Sequence, residues 1–187
     1  MALTRLIIDG YGQLELNNAP FRRDGRVEAQ CALKEADFGK NVDAVAENGM
    51  LLAVDRVNRE IKLPAANETL PIAINYSAEH MYDERANALK DFFLKTGDFY
   101  PRLGYLSVGD LFTTNCICFD DDEFDDDDAF IAATKAIKTT ALYGGISESG
   151  AIKVSATAPT VGPVLRVVEK TTMPDGQFAV KFHVNKA

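Results

Sequence analysis

The chain has 187 residues, of which 47% are hydrophobic and 26% charged, the composition of a folded globular protein rather than a disordered one. That length allows one domain or two small ones with a genuine core. A formal net charge of −8 argues against nucleic-acid binding, which needs clustered Lys and Arg, and no stretch approaches the ~20 apolar residues of a bilayer span.

The opening Met1–Asp9 has three apolar residues before a charge and no cleavage site, so a signal peptide is not expected and a cytosolic origin is. Residues 1–30 read as an N-terminal arm. Leu3 to Ile8 suit a short strand, and Leu14 and Leu16 alternate with Gln13 and Glu15. Asn17-Asn18-Ala19-Pro20 and Asp24-Gly25 supply turn chemistry. An arm tied into a partner and a packed edge hairpin both satisfy this pattern. Arg22, Arg23 and Arg26 are interleaved with Asp24 and Glu28, as on a solvated surface or a contact to an acidic partner.

Residues 31–119 read as a β-rich domain. Arg26 to Leu33 is expected to be one strand, with Val27, Ala29, Cys31 and Leu33 on one face. Met50–Asp55 and Glu60–Pro64 form a hairpin closing around Asn58. Leu70–Tyr76 is a third, well-buried strand. Residues 79–95 divide into a short helix or irregular turn and then a strand through Phe92-Phe93-Leu94. Leu103–Leu106 and Gly109–Phe119 are further strands.

Residues 120–187 open with an acidic linker. The run Asp120 to Asp128 holds eight of the 28 acidic residues, and without it the chain balances at 20 acidic against 20 basic. Its last aspartates lead into the clearest helix, Asp127–Lys138, which Lys135 and Lys138 close as the helix macrodipole favours. Tyr143-Gly144-Gly145 and Glu148-Ser149-Gly150 read as turns. Ile152–Ser155 and Val164–Val168 read as strands, and Pro174-Asp175-Gly176 as a tight turn into the alternating Phe178–Val184. The fold class is therefore mainly β (α+β): a small β-rich core of hairpins with one helix after the acidic run.

Candidate chemistry is sparse. The acidic run lacks the spaced carboxylates and glycine of an EF-hand loop, so a solvated loop and helix start is the expected role, with a calcium site as the sharper alternative. Cys116 and Cys118 point to one face of a strand and Cys31 stands apart, which reads as three reduced, packing thiols. His80 and His183 have no zinc-type spacing to them. No glycine pair forms a phosphate loop and no serine sits in a nucleophile elbow. No catalytic, cofactor-binding or metal-binding residue is assigned, and no cofactor is expected.

The segments Asn48–Asp55, Glu60–Pro64 and Pro71–Asn75, with the later Gly109–Asn115, resemble capsid decoration (head-stabilising, cement) proteins of tailed bacteriophages. The resemblance covers about residues 45–119 as a pattern of strands and turns, and leaves the C-terminal third uncovered. It implies a non-enzymatic virion structural protein on the capsid surface, assembled in the host cytoplasm. The implied partner is the major capsid protein, with self-association as a homo-oligomer such as a trimer. The alternatives are another virion component, either a head–tail connector or a tail protein, and a cation-dependent binding module using the acidic run.

Overall fold

The computed structural model describes residues 3–80 and 88–187. The strands are β1 (Leu3–Arg5), β2 (Val27–Glu28), β3 (Ala32–Leu33), β4 (Ala46–Glu47), β5 (Leu51–Asp55), β6 (Glu60–Lys62), β7 (Ile72–Asn75) and β8 (Phe93–Leu94). They continue as β9 (Leu103–Gly104), β10 (Leu111–Thr114), β11 (Ile117–Asp120), β12 (Tyr143–Gly145), β13 (Ile152–Ser155), β14 (Val164–Thr172) and β15 (Phe178–Lys186). Two α-helices are described, α1 (Glu35–Phe38) and α2 (Asp127–Lys135). The fold is mainly β, as composition and alternation led one to expect.

Three sheets result. One has seven strands in the order β1-β11-β13-β12-β14-β15-β10, one has six in the order β2-β9-β7-β5-β6-β3, and β4 pairs with β8 alone. Two-residue periodicity explains how the larger sheets share their core. In β5, Leu51 joins one apolar cluster while Leu52 and Val54 join another. In β11, Ile117 and Phe119 join the first cluster, and Cys118, with the preceding Cys116, joins the second. Both strands are buried on both faces. Each fully buried leucine or phenylalanine contributes roughly 1.5–3 kcal/mol relative to exposure.

Residues 3–30 are built into this core rather than detached from it. β1 pairs antiparallel with β11, Leu14 bridges to Thr114, and Leu6, Leu14 and Phe21 are fully buried. The regions divided at residue 120 likewise share one apolar cluster, in which Leu51 and Ile74 meet Phe130, Val154 and Phe182.

Several local expectations are corrected. Arg26–Leu33 is two short strands, not one: β2 and β3 lie at opposite edges of the six-stranded sheet. Cys31 and Leu33 are buried while Val27 and Ala29 are exposed, because the chain crosses the sheet between them. Gly109–Phe119 also breaks. The Ile117 N–H turns back to the Asn115 carbonyl and the Cys116 N–H donates to the Thr114 hydroxyl, sending β10 and β11 to different parts of the sheet.

Tyr143-Gly144-Gly145 is a strand inside the seven-stranded sheet, not a turn. A Cβ on Gly144 would stand 2.8 Å from Ile152 Cγ2 and 3.0 Å from Phe182 Cε1, so glycine is there for closeness. Helix α2 stops at Lys135, short of Lys138. The Ala136 N–H bonds to the Ala133 carbonyl in a tighter turn, and the Thr139 hydroxyl donates to the Ala136 carbonyl.

The β5–β6 hairpin, β7 and the β14–β15 hairpin lie where the alternation places them. Arg59, next to Asn58 in the first hairpin, takes φ 58°. For 79–95, the described part has a short 3-10 turn at Leu89–Asp91 followed by β8. The expectation for 81–87 lies outside the described residues, as does that for the His80 side chain.

Candidate functional site

The acidic run begins inside the sheet. Asp120 ends β11, where it is opposite Leu3 of β1, and it is only 8% exposed. Parallel pairing of β11 with β13 puts Cys118 opposite Lys153, and the Lys153 ammonium reaches Asp120 Oδ2 at 2.6 Å. Asp120 Oδ1 is buried and has no hydrogen-bond partner among the described residues.

The rest of the run disperses into separate tasks. Asp121 accepts from the Thr4 hydroxyl, and Glu123 accepts from the Ala156 N–H. Phe124 turns inward against Phe119 and Phe130. Asp126 caps α2 by accepting from the Ala129 N–H at 2.8 Å, and Asp127 accepts from the Ile7 N–H at 2.9 Å. These carboxylates diverge. Among the described residues, no group of three or more His, Cys, Asp or Glu is placed to hold a metal ion.

Asp120 and Lys153 border two cavities. On one side is a cavity of about 430 Å³, lined by Glu123, Tyr143, Ser155, Pro159 and their neighbours. On the other is a cavity of about 270 Å³ that reaches Leu3, Ala65 and Glu148. Ala66, Asp120, Ile146 and Lys153 line both, so these four residues border the two cavities in common. Tyr143 is held in place by the Arg166 guanidinium, 5.2 Å from its ring centroid, and Arg166 also donates to the Ile137 carbonyl.

All three cysteines are free and buried. The Arg5 guanidinium donates to Cys116 Sγ at 3.4 Å and to Glu47 Oε2 at 2.6 Å, and the Gly12 N–H donates to the same Glu47 oxygen. Burial nonetheless pushes the Cys116 thiol up to about 12, against the opposing pull of Arg5. Cys118 is raised by burial as well. Neither thiol ionises at neutral pH, so neither is a nucleophile there.

His183 lies half-buried on β15, its Nδ1 2.7 Å from Asn185 Oδ1. Arg23 pairs with Asp110, and Arg26 donates to the Ser107 hydroxyl, so this basic cluster is bound within the fold. Sequence reasoning missed Lys153, Tyr143 and Glu123 as wall residues. Tyr143 was hidden by the adjacent glycines, and the Asp120–Lys153 pair depends on a crossover that no local signal reveals.

Comparison of the chain with protein-family models, curated proteins and solved structures found no match. No helix among the described residues is long and apolar enough to cross a membrane.

Proposed function

We propose that this protein is a virion structural protein, a capsid decoration protein that binds the outside of a tailed-phage head and stabilises contacts between major capsid subunits. The observation that carries this reading is the arrangement of three of the four segments bearing the family-like pattern, the fourth, Gly109–Asn115, lying apart with β10 at the edge of the seven-stranded sheet. Asn48–Asp55, Glu60–Pro64 and Pro71–Asn75 contribute β5, β6 and β7, and these are neighbours in one sheet, ordered β7-β5-β6. They thus act as one structural unit rather than as three unrelated strands.

Two further features support it. Outside the acidic run the formal charges balance, 20 against 20, so a body of this kind can dock on a shell without large like-charge repulsion. Repetition of a modest contact by capsid symmetry, and self-association into a homo-oligomer such as a trimer, supply avidity without a catalytic centre. The role is structural, not enzymatic, and needs neither nucleic acid nor membrane.

Co-sedimentation with empty shells of the cognate major capsid protein tests the reading. Saturable binding of the folded chain, with shells that withstand higher temperature when decorated, is the expected result. A folded chain in excess that stays in the supernatant would overturn it.

A further inference from the structure

Residues 27–31 and the turn of the β5–β6 hairpin form the walls of a cavity of about 460 Å³. Five consecutive residues make one wall, and Arg56 and Arg59 make the other. The first two of the five are β2, an edge strand of the six-stranded sheet. Val27 lies opposite Gly104, and the Tyr105 N–H donates to the Arg26 carbonyl at 2.8 Å. Antiparallel alternation therefore points the Val27 N–H and C=O away from β9. The Ala29 and Cys31 N–H groups have no hydrogen-bond partner among the described residues. An edge of this kind offers main-chain hydrogen bonds to an extended segment of another chain.

Charge selects the segment. Glu28 is the one carboxylate lining the cavity, and it is buried, with Oε1 accepting from the Gln30 N–H and Oε2 from Arg56 Nε. Both of its oxygens are engaged, and the exposed charge is that of Arg56 and Arg59. Arg59 forms no ion pair among the described residues, and its guanidinium donates only to the Gln30 carbonyl, at 3.3 Å. It also stands at φ 58°, a left-handed conformation that glycine adopts without a side-chain clash. An arginine is held where glycine fits more easily, and the fold leaves its charge unpaired. We propose that this cavity docks an extended acidic segment of a partner protein along residues 27–31, its carboxylates paired with Arg56 and Arg59. Two arginines suit one or two carboxylates, whereas a nucleic-acid backbone needs a longer basic track. The inference goes beyond the capsid reading and does not require the partner to be a shell.

Fluorescence anisotropy of a labelled oligoglutamate peptide, titrated with the full chain, tests it. Salt of about 0.1 M screens charges farther than about 10 Å and leaves the local arginines to decide. Saturable binding is expected, about tenfold weaker in Arg59→Gln, the worth of one charge-assisted hydrogen bond, and weaker again in Arg56→Gln/Arg59→Gln. Arg59→Gly separates docking from folding. It should bind as weakly as Arg59→Gln yet keep or exceed the parent's urea midpoint, because glycine accepts the left-handed backbone. Lys135→Gln/Lys138→Gln removes two exposed charges outside the cavity and should bind as the parent does. Oligoglutamate methylated at alternate backbone nitrogens should bind more weakly than the plain peptide, since it cannot complete a ladder with the edge.

Absence of saturable binding would overturn the proposal. So would equal losses in the lysine and arginine double variants, since the contact would then be undirected charge. A lower urea midpoint in Arg59→Gly would show that the arginine serves the turn, and equal binding of the methylated peptide that the strand edge is unused. Either result overturns it. Stronger displacement of the peptide by a single-stranded oligonucleotide than by free oligoglutamate would give the cavity to nucleic acid. Sedimentation showing self-association that Arg59→Gln abolishes would give it to a second copy. Both outcomes also overturn the proposal. Shell co-sedimentation is read separately, so failure of either proposal leaves the other standing.

Discussion

Phe119 and Phe130 stack with ring centroids 4.9 Å apart and planes 15° from parallel, joining the last strand before the acidic run to the helix after it. Both rings are fully buried, and Phe124, from within the run, meets each of them edge-on. Beyond the buried Asp120, the acidic run is therefore a loop pinned from inside by Phe124, with Asp121, Asp122, Glu123, Asp125, Asp126 and Asp128 exposed. Phe130→Ala should lower unfolding free energy by about 3–5 kcal/mol, the usual cost of deleting a buried phenylalanine. Urea denaturation gives the value. A loss below about 1 kcal/mol would mean that α2 does not anchor the run.

Gly144 sits at a point of close packing in the seven-stranded sheet. An alanine there must push Ile152 or Phe182 aside, since contacts of 2.8 and 3.0 Å leave no room for a Cβ. Gly144→Ala should destabilise by about 1–3 kcal/mol through overpacking. Ile152→Ala opens a cavity of its own, and the double variant should cost less than the sum of the two single changes. Strict additivity in that cycle would show that the Gly144–Ile152 contact is not what requires glycine.

Legibility followed the range of the interaction. The hairpin around Asn58 and the alternation of Phe178–Val184 could be read because adjacent residues specify them. So could the Asp126–Asp128 entry to α2, where the cap is three residues from the N–H it accepts. Tyr143–Gly145 failed because glycine is ordinarily punctuation, whereas here its lack of a side chain lets two core residues approach. Arg26–Leu33 failed because an unbroken alternation does not reveal that the chain leaves one sheet edge and joins the other. The Asp120–Lys153 pair was least legible. Asp120 and Lys153 meet only because β11 and β13 pair in parallel across α2 and β12, and no local pattern encodes that register.

Asp55 closes the β5–β6 hairpin by accepting from the Asn58 backbone and side-chain amides and from Lys62 Nζ. The Asn58 backbone N–H, chiefly, holds its carboxyl well below the usual carboxylate range, with the Asn58 side chain and Lys62 adding to the effect. A depressed folded-state pKa contributes stability that is complete above the unfolded value, near 4, and is lost on acidification below it. The parent should therefore lose stability between about pH 5 and about pH 2, and Asp55→Asn should show a shallower acid limb over that interval. Urea midpoints at successive pH values check this. Identical slopes in the two proteins would sink it.

Cys116 has the opposite sign. Burial raises its thiol to about 12, and the unfolded chain would ionise the same group near 8.5. Folding thus favours the protonated thiol, and the stability it contributes falls as pH climbs through the interval between those values. At neutral pH the consequence is kinetic. Cys31, Cys116 and Cys118 are buried, so a thiol-reactive disulfide reagent should modify the native protein only at the rate at which it opens. All three should react at once in denaturant. Rapid labelling of Cys116 in the native state, located by peptide mass, would show that the Arg5–Glu47–Cys116 cluster is open to solvent.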